Sequence, residues 1–386
     1  MMISLSHDRV RLLRLRAQRL VPQFRDSLSD TAHLVKELCG IQAQDARAAR
    51  LALRARSGGL VEADIERARV QERTIIRTWG QRSTLHLLAI EDMGWLLPLF
   101  GPVFIAGDQR RRAELGLDED TCARGIRAIR DALADQGPLT RAELVEQLAV
   151  RGIRLEGQAR PHLLGRAALE GVICFGPDRG AEPTYVLLSD WAAPGHALPE
   201  EAAYAELVRR YLDAYSPARP EDMAAWSGLP ISKIRAAWQR VTYQLMEVEI
   251  DGSAAWMLKS HAAWLDEPPI TDQLVCLLPA FDIYLLGYRD RDLALSRQDA
   301  KRVNAGGGML HPTLLLNGRV AGIWKSQRKK NQLEVIVEPF DQLTPDVYPG
   351  LEAEVADIAR FLEAQASLQV VSHLTNPMNV RKLRPM

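Results

Sequence analysis

Apolar positions recur three and four residues apart over 9–20, 31–39 and 46–56, and each stretch predicts an amphipathic helix. Asp30 or Ser29 is placed to cap the second of these and Gly40 to end it. Over 74–88 the period moves to two: Ile75, Ile76, Trp79, Leu85 and Leu87 read as the apolar side of a hairpin.

The order of helices followed by a β-rich stretch returns twice. Residues 121–136 are helical in pattern, Thr140 and Glu143 form a capping box opening a helix over 141–151, and 160–170 is a third helix ended by Gly171. Residues 172–175 and 184–188 then make a two-stranded wing around the Gly/Pro-rich turn 176–183. The third unit has a helix over 200–215, a helix opening near Pro220, a turn at 227–230 and a helix over 232–243. Its wing is 245–250 and 254–258, joined at Asp251 and Gly252.

From about residue 271 the pattern becomes short apolar runs at 274–278, 281–286, 314–316, 320–324 and 333–337, with a turn at Asn317 and Gly318 and a closing helix over 351–364. This spacing predicts an α+β chain: three tandem winged helix-turn-helix modules over 1–117, 118–198 and 199–270, then a small antiparallel β-barrel over 271–386.

Composition narrows the class. With 386 residues, 47% of them hydrophobic, the chain can bury full cores without staples. Cys39, Cys122, Cys174 and Cys276 are scattered, with no CxxC pair and no histidine at ligand spacing. Neither a zinc site nor a disulfide framework is expected, and a reducing cytoplasm fits. Residues 1–16 lack a signal-peptide core, and no stretch is expected to span a membrane.

Net charge is zero, from 49 basic and 49 acidic residues, so distribution carries the information. Residues 1–60 hold eleven basic residues against five acidic, and Arg319, Lys325, Arg328, Lys329 and Lys330 form a second cluster. The two segments form either one positive surface for phosphates or two separate solvated faces; charge alone favours the latter.

Gln42-Ala43-Gln44 lies between the stop at Gly40 and Asp45, which is placed to cap the next helix, so the pair is expected on a turn. Off a helix, side chains two apart face one side, and two carboxamides can hold one water there; ordinary exposed polar residues fit the same pattern. Arg77, Arg82 and His86, in the hairpin, are suited to contact phosphate or to orient a neighbour, and His86 equally suits a core strand. His311 follows Gly306-Gly307-Gly308, which tethers a loop to the second basic cluster, as a groove-probing hairpin or a plain surface connection. No P-loop, dinucleotide fingerprint, GxSxG elbow or HExxH is present, which disfavours nucleotide-driven, serine-hydrolase and zinc-protease chemistry.

Taken together, Cys39-Gly-Ile-Gln-Ala-Gln44, Arg77-Thr-Trp-Gly-Gln-Arg-Ser-Thr-Leu-His86, Leu285-Leu-Gly-Tyr-Arg-Asp-Arg291 and His311-Pro-Thr-Leu-Leu-Leu-Asn-Gly-Arg-Val-Ala-Gly-Ile-Trp324 resemble the AlkZ/YcaQ-like winged-helix DNA glycosylases. The order and spacing match over nearly the full chain. The stretch usually read Met-Arg-Gly-Thr-Leu-His in that family is Gln81-Arg82-Ser83-Thr84-Leu85-His86 here, which bears on local contacts rather than on the fold.

The resemblance implies a C-shaped monomer with a concave basic surface for duplex DNA carrying alkylated or crosslinked purines, and no cofactor. It implies catalysis by Gln42 and Gln44, the Gln-x-Gln form associated with unhooking bulky interstrand crosslinks such as azinomycin-type adducts. Asp45 lies one residue too late for the Gln-x-Asp form. DNA contacts are expected from Arg47, Arg50, Arg77, Arg82, His86, His311, Arg319, Lys325, Arg328, Lys329 and Lys330. A purine alkylated at N7 is already cationic and leaves readily through an oxocarbenium-like transition state, so positioning a water is enough. A crosslink does not fit a snug flipping pocket, so an open groove with a nearby hairpin at 317–330 is expected. The rival readings are a non-catalytic winged-helix regulator or damage sensor and a protein-interaction scaffold.

Overall fold

The computed structural model describes residues 3–25, 30–267, 273–306, 308–371 and, for the backbone alone, 381–382. The strand β1 (Ile3–Ser4) leads into α1 (His7–Ala17), capped by the Ser6 side chain on the Arg9 N–H. Asp30 caps α2 (Thr31–Glu37) by accepting from the Ala32 and His33 N–H groups. Ser29, the alternative cap, lies outside the described residues. Cys39 and Gly40 then take left-handed conformations, φ 54° and 98°, and the chain continues as β2 (Ile41–Gln42). Gly40 is required there, because a Cβ would lie 2.6 Å from Leu88 Cδ2.

Asp45 caps α3 (Ala46–Arg54) as expected, and α4 (Glu62–Glu66) precedes the hairpin β3 (Ile75–Trp79) and β4 (Leu85–Ala89). Next come α5 (Met93–Gly107), α6 (Gln109–Glu114), α7 (Glu119–Gln136) and β5 (Leu139–Thr140). The Thr140–Glu143 capping box opens α8 (Arg141–Val150), and α9 (Ala159–Leu169) follows. The wing β6 (Ile173–Arg179) and β7 (Glu182–Leu187) runs longer than the sequence suggests, because a bulge between Phe175 and Asp178 absorbs Gly176 and Pro177.

After α10 (Leu188–Trp191), the third unit is α11 (Glu200–Tyr215), α12 (Pro220–Ser227) and α13 (Ile231–Val241), with its wing β8 (Leu245–Ile250) and β9 (Ser253–Leu258). The remainder is β10 (Val275–Leu278), α14 (Ile283–Leu286), α15 (Ala300–Val303), β11 (Asn304–Gly306), β12 (Met309–Leu310), β13 (Thr313–Leu316), β14 (Arg319–Lys329), β15 (Gln332–Pro339), α16 (Val347–Phe361), β16 (Gln365–Val370) and β17 (Arg381–Lys382).

The fold is α+β, and its sheets run across the expected unit borders. One six-stranded sheet has the order β2-β4-β3-β6-β7-β5, so the first hairpin and the second wing share a ladder through Arg77 and Phe175. The β1 strand pairs parallel with β8, nearly the whole helical part of the chain later. A single apolar core runs from Leu34 and Ile41 through Tyr211 and Trp226 to Val335 and Ile358.

Three expectations need correction. The C-terminal sheet, β10-β13-β14-β15-β16-β17, is not antiparallel throughout: β15 and β16 are parallel, with α16 as their crossover. No pairing among the described residues closes β10 onto β17 into a barrel. Residues 281–286, expected as a strand, contain α14, because the Asp282 carboxylate accepts from the Tyr284 N–H and caps a turn of helix. Finally, Ile90–Gly107 is long and apolar enough, by length and composition, to cross a membrane. Its Met93, Trp95, Leu96, Leu99 and Phe100 are buried in the main core, and Pro98 and Pro102 lie within it.

Buried ions join the ends of the chain. Arg54, with no exposed surface, donates to Glu354 (2.9 Å), Asp357 (3.2 Å) and the Leu277 carbonyl (2.6 Å), while Arg25 donates to the other Glu354 oxygen at 2.8 Å. Arg56 is paired twice with Asp282. Burial alone pushes the Glu354 carboxyl upward; Arg54, Arg25 and the Leu277 N–H outweigh it and hold the group at about 2. Removing one partner of such a network strands the others, so Glu354→Gln is expected to destabilise by about 3–5 kcal/mol. The carboxylate contributes fully above its ordinary value of 4.5, and the contribution is lost as pH falls toward about 2. The melting-temperature gap between wild type and Glu354→Gln is therefore expected to narrow through that acid window; a gap independent of pH contradicts the assignment.

Candidate active site

Gln42 is not on a turn. Gly40 releases the chain directly into β2, where Gln42 pairs with His86 and Ile41 with Leu87 of β4. The ladder goes one residue further, the Ala43 N–H donating to the Leu85 carbonyl at 2.7 Å. Gln44 lies just beyond, and its Oε1 accepts the Leu85 N–H at 3.2 Å, a side chain standing in for the next backbone acceptor.

The two amides sit in different surroundings. Gln44 is exposed and lines a cavity of about 700 Å³ with Arg77, Trp79, Arg141, Arg160, Phe175 and Tyr185. Gln42 is 8% exposed and lies outside that lining, its Oε1 accepting from Arg82 Nη2 at 2.6 Å. A second cavity of about 390 Å³ shares Trp79, Ser83 and Pro161 with the first and adds Arg112, His162 and Arg166.

Of the hairpin residues read as possible phosphate contacts, His86 is buried, while Arg77 and Arg82 are half-buried and commit donors to internal acceptors, Arg77 from the cavity lining. Arg77 donates to the Ala43 carbonyl (3.0 Å) and the Gln44 carbonyl (3.4 Å) and stacks over Phe175, 4.7 Å from the ring centroid. Arg82 bridges Gln42 and the Trp226 carbonyl. Burial lowers the pKa of both guanidiniums from the ordinary arginine value. His86 is 3% exposed, and burial followed by the nearby Arg82 pushes its pKa down to about 3. A neutral buried ring is a poor phosphate ligand; His86 fits the other reading, a core-strand histidine, its Nδ1 bonded to the Thr84 carbonyl at 3.0 Å. Arg50 faces Glu62, Glu66 and Asp178, which already balance its charge.

Other expected contacts face solvent. Arg47, in the first turn of α3, is exposed and donates to Ser326 Oγ of β14 at 3.3 Å, so the basic hairpin stands beside the Gln44 turn. Asn317 and Gly318 make the left-handed turn into β14, φ 48° and 77°, as their types require. Arg319 is exposed, Lys325 pairs with Glu338, and Arg328, Lys329 and Lys330 surround the turn between β14 and β15. His311 is exposed; Gly307, within the glycine run before it, lies outside the described residues.

Arg141 and Arg160 escaped the sequence reading. Both are exposed, sit in the first turns of α8 and α9, and face the cavity wall containing Gln44. The β3–β6 pairing and the packing of α9 on β3 bring these helices to the Gln-x-Gln segment, and no local pattern announces either. Among the described residues no three His, Cys, Asp or Glu side chains come together as metal ligands. Burial raises the thiols of Cys39, Cys174 and Cys276 well out of the reactive range.

The chain is 30% identical over 362 residues to an interstrand DNA cross-link repair glycosylase of Streptomyces sahachiroi, covering 90% of this chain and 94% of that protein. The solved structure of Streptomyces sahachiroi DNA glycosylase AlkZ superposes with a TM-score of 0.79 at 27% identity, over 96% of this chain and all of that one. A family model described as DNA glycosylase AlkZ-like matches residues 35–361. The matched span holds the Gln-x-Gln strand, both cavities and the basic hairpin, and the chain belongs to the AlkZ-like DNA glycosylase family.

Proposed function

We propose that this glycosylase hydrolyses the N-glycosidic bond of N7-alkylated purines in duplex DNA and unhooks bulky interstrand crosslinks, with Gln42 and Gln44 positioning the water. The observation that carries this reading is Gln44 on the wall of a wide cavity beside exposed cationic side chains, with Gln42 two residues earlier in β2 and its Oε1 held by Arg82. The cross-link repair role named for the Streptomyces sahachiroi relative supports the substrate class. The chain is taken as three winged helix-turn-helix modules, bent into a C around the duplex, with 1–117, 118–198 and 199–270 as their extents.

The chemistry asks little of the protein. The N9–C1′ bond breaks with its electron pair going to the base, which neutralises the alkylated purine. Water bonds to C1′ and releases its proton to solvent. A carboxamide oxygen has two lone pairs. One on Gln42 takes Arg82 and one on Gln44 takes the Leu85 N–H, leaving one on each for the water. Fixed acceptors lower the entropy barrier to attack without needing a strong base. The open cavity walls suit an adduct still tethered to the opposite strand, unlike a closed base-flipping pocket.

Three outcomes are expected. Gln42→Ala and Gln44→Ala are each expected to slow release of N7-methylguanine from duplex DNA about 100-fold, with DNA affinity within about twofold of wild type. Wild-type release rates in both variants overturn the reading in favour of a different water-holding group. Exchanging Arg141 and Arg160 together for Gln, or Lys329 and Lys330 together for Ala, is expected to flatten the dependence of log affinity on log salt by about one to two units per pair. An unaltered slope removes those residues from the DNA interface. Because the glutamines do not ionise and His86 sits at about 3, the pH profile of single-turnover release is expected to lack a limb near the ordinary histidine value. A limb there that disappears in His86→Gln would restore a proton-transfer role to the ring.

A further inference from the structure

We propose that Arg77 and Arg82 are positioning residues for the glutamine pair: Arg82 sets the Gln42 carboxamide and Arg77 sets the backbone that carries Gln44. The proposal rests on the glutamine reading above and reassigns two side chains otherwise taken as phosphate contacts.

Arg82 is placed by constraint. Its backbone is left-handed, φ 54°, and a Cβ on Gly228 would come within 3.2 Å of its Cα, so it is wedged against the end of α12. From there one guanidinium nitrogen reaches the Trp226 carbonyl and the other the Gln42 Oε1. A planar guanidinium holds two acceptors at a fixed angle, which a lysine ammonium does not. The last torsion of a glutamine is broad and nearly two-fold. A charged donor on Oε1 removes that freedom, fixing both the amide plane and the direction of the remaining lone pair.

Arg77 completes the arrangement from the opposite side. Its Nε and Nη2 take the carbonyls of Ala43 and Gln44, and its plane rests on Phe175 of the second wing. The glutamine segment is thereby tied to two remote parts of the fold, α12 through Arg82 and β6 through Arg77. Each guanidinium commits two of its five N–H donors to these internal acceptors, and those two fix its plane.

The test is single-turnover release of N7-methylguanine at saturating protein by Gln42→Ala, Arg82→Ala, Arg82→Lys and the Gln42→Ala/Arg82→Ala pair, with affinity measured over a salt series. Both Arg82 variants are expected to release base about 10- to 100-fold more slowly, with affinity and salt slope as in wild type. The double variant is expected to be no slower than Gln42→Ala alone, since Arg82 acts through Gln42. A phosphate contact would behave otherwise: Arg82→Lys would regain the wild-type rate, and Arg82→Ala would lose affinity with a shallower salt slope; either result overturns the proposal. Slow Gln42→Ala with wild-type Arg82→Ala overturns the positioning role alone. Wild-type Gln42→Ala overturns the glutamine reading, and the positioning role with it.

Discussion

Glu354 receives guanidinium groups from Arg25 and Arg54 in a site that is 4% exposed, and the architecture around the candidate site follows from that contact. Arg54 ends α3, the helix whose first residues follow Gln44 directly. One end of that short rod is fixed by the Asp45 cap beside the glutamine segment, the other by a carboxylate on α16. The C-terminal sheet is thereby held at the angle at which Ser326 meets Arg47. Buried ion pairs add little net stability compared with apolar packing, but they tolerate few alternative arrangements. Here they define where the basic hairpin stands relative to Gln44.

The shared ladder β2-β4-β3-β6-β7-β5 plays the complementary part on the other side. It lays the glutamine strand, the hairpin carrying Arg77 and Arg82, and the second wing edge to edge. The aromatic stack of Trp79, Phe175 and Tyr185 forms across this seam and floors the cavity. The proposed reaction, which asks for a well-held water, suits such a site, because sheet hydrogen bonds and stacked rings supply rigidity.

Local rules made much of this legible. Asp30, Asp45 and the Thr140–Glu143 box cap their helices as their residue types demand, and Asp251-Gly252 and Asn317-Gly318 make their turns. The Gln-x-Gln segment, expected on a turn, has Gln42 in a strand and Gln44 at the bend that follows it. What stayed hidden was long-range. The β16 strand has the weakly patterned sequence Gln-Ala-Ser-Leu-Gln-Val, with Leu368 alone fully buried, and forms because α16 returns the chain alongside β15. Charge counting places every arginine before residue 60 on a surface, whether solvated or phosphate-binding, whereas Arg25, Arg54 and Arg56 are buried against carboxylates hundreds of residues away. A guanidinium looks the same in sequence whether its partner is a phosphate, a buried glutamate or a neighbouring amide. The same ambiguity hid Arg141 and Arg160.

The parallel pairing of β1 with β8 bears on how the chain is made. Ile3 and Ser4 find their partners at Val248 and Glu249. At ribosomal speeds of about 5–20 residues per second, that partner emerges roughly 12 to 50 seconds after the first strand. Arg54 waits longer still for Glu354. The opening segment must therefore leave the exit tunnel with an unsatisfied strand edge and uncompensated cations, and nascent chains of this enzyme would present to chaperones and to nucleic acid a surface that the finished molecule conceals.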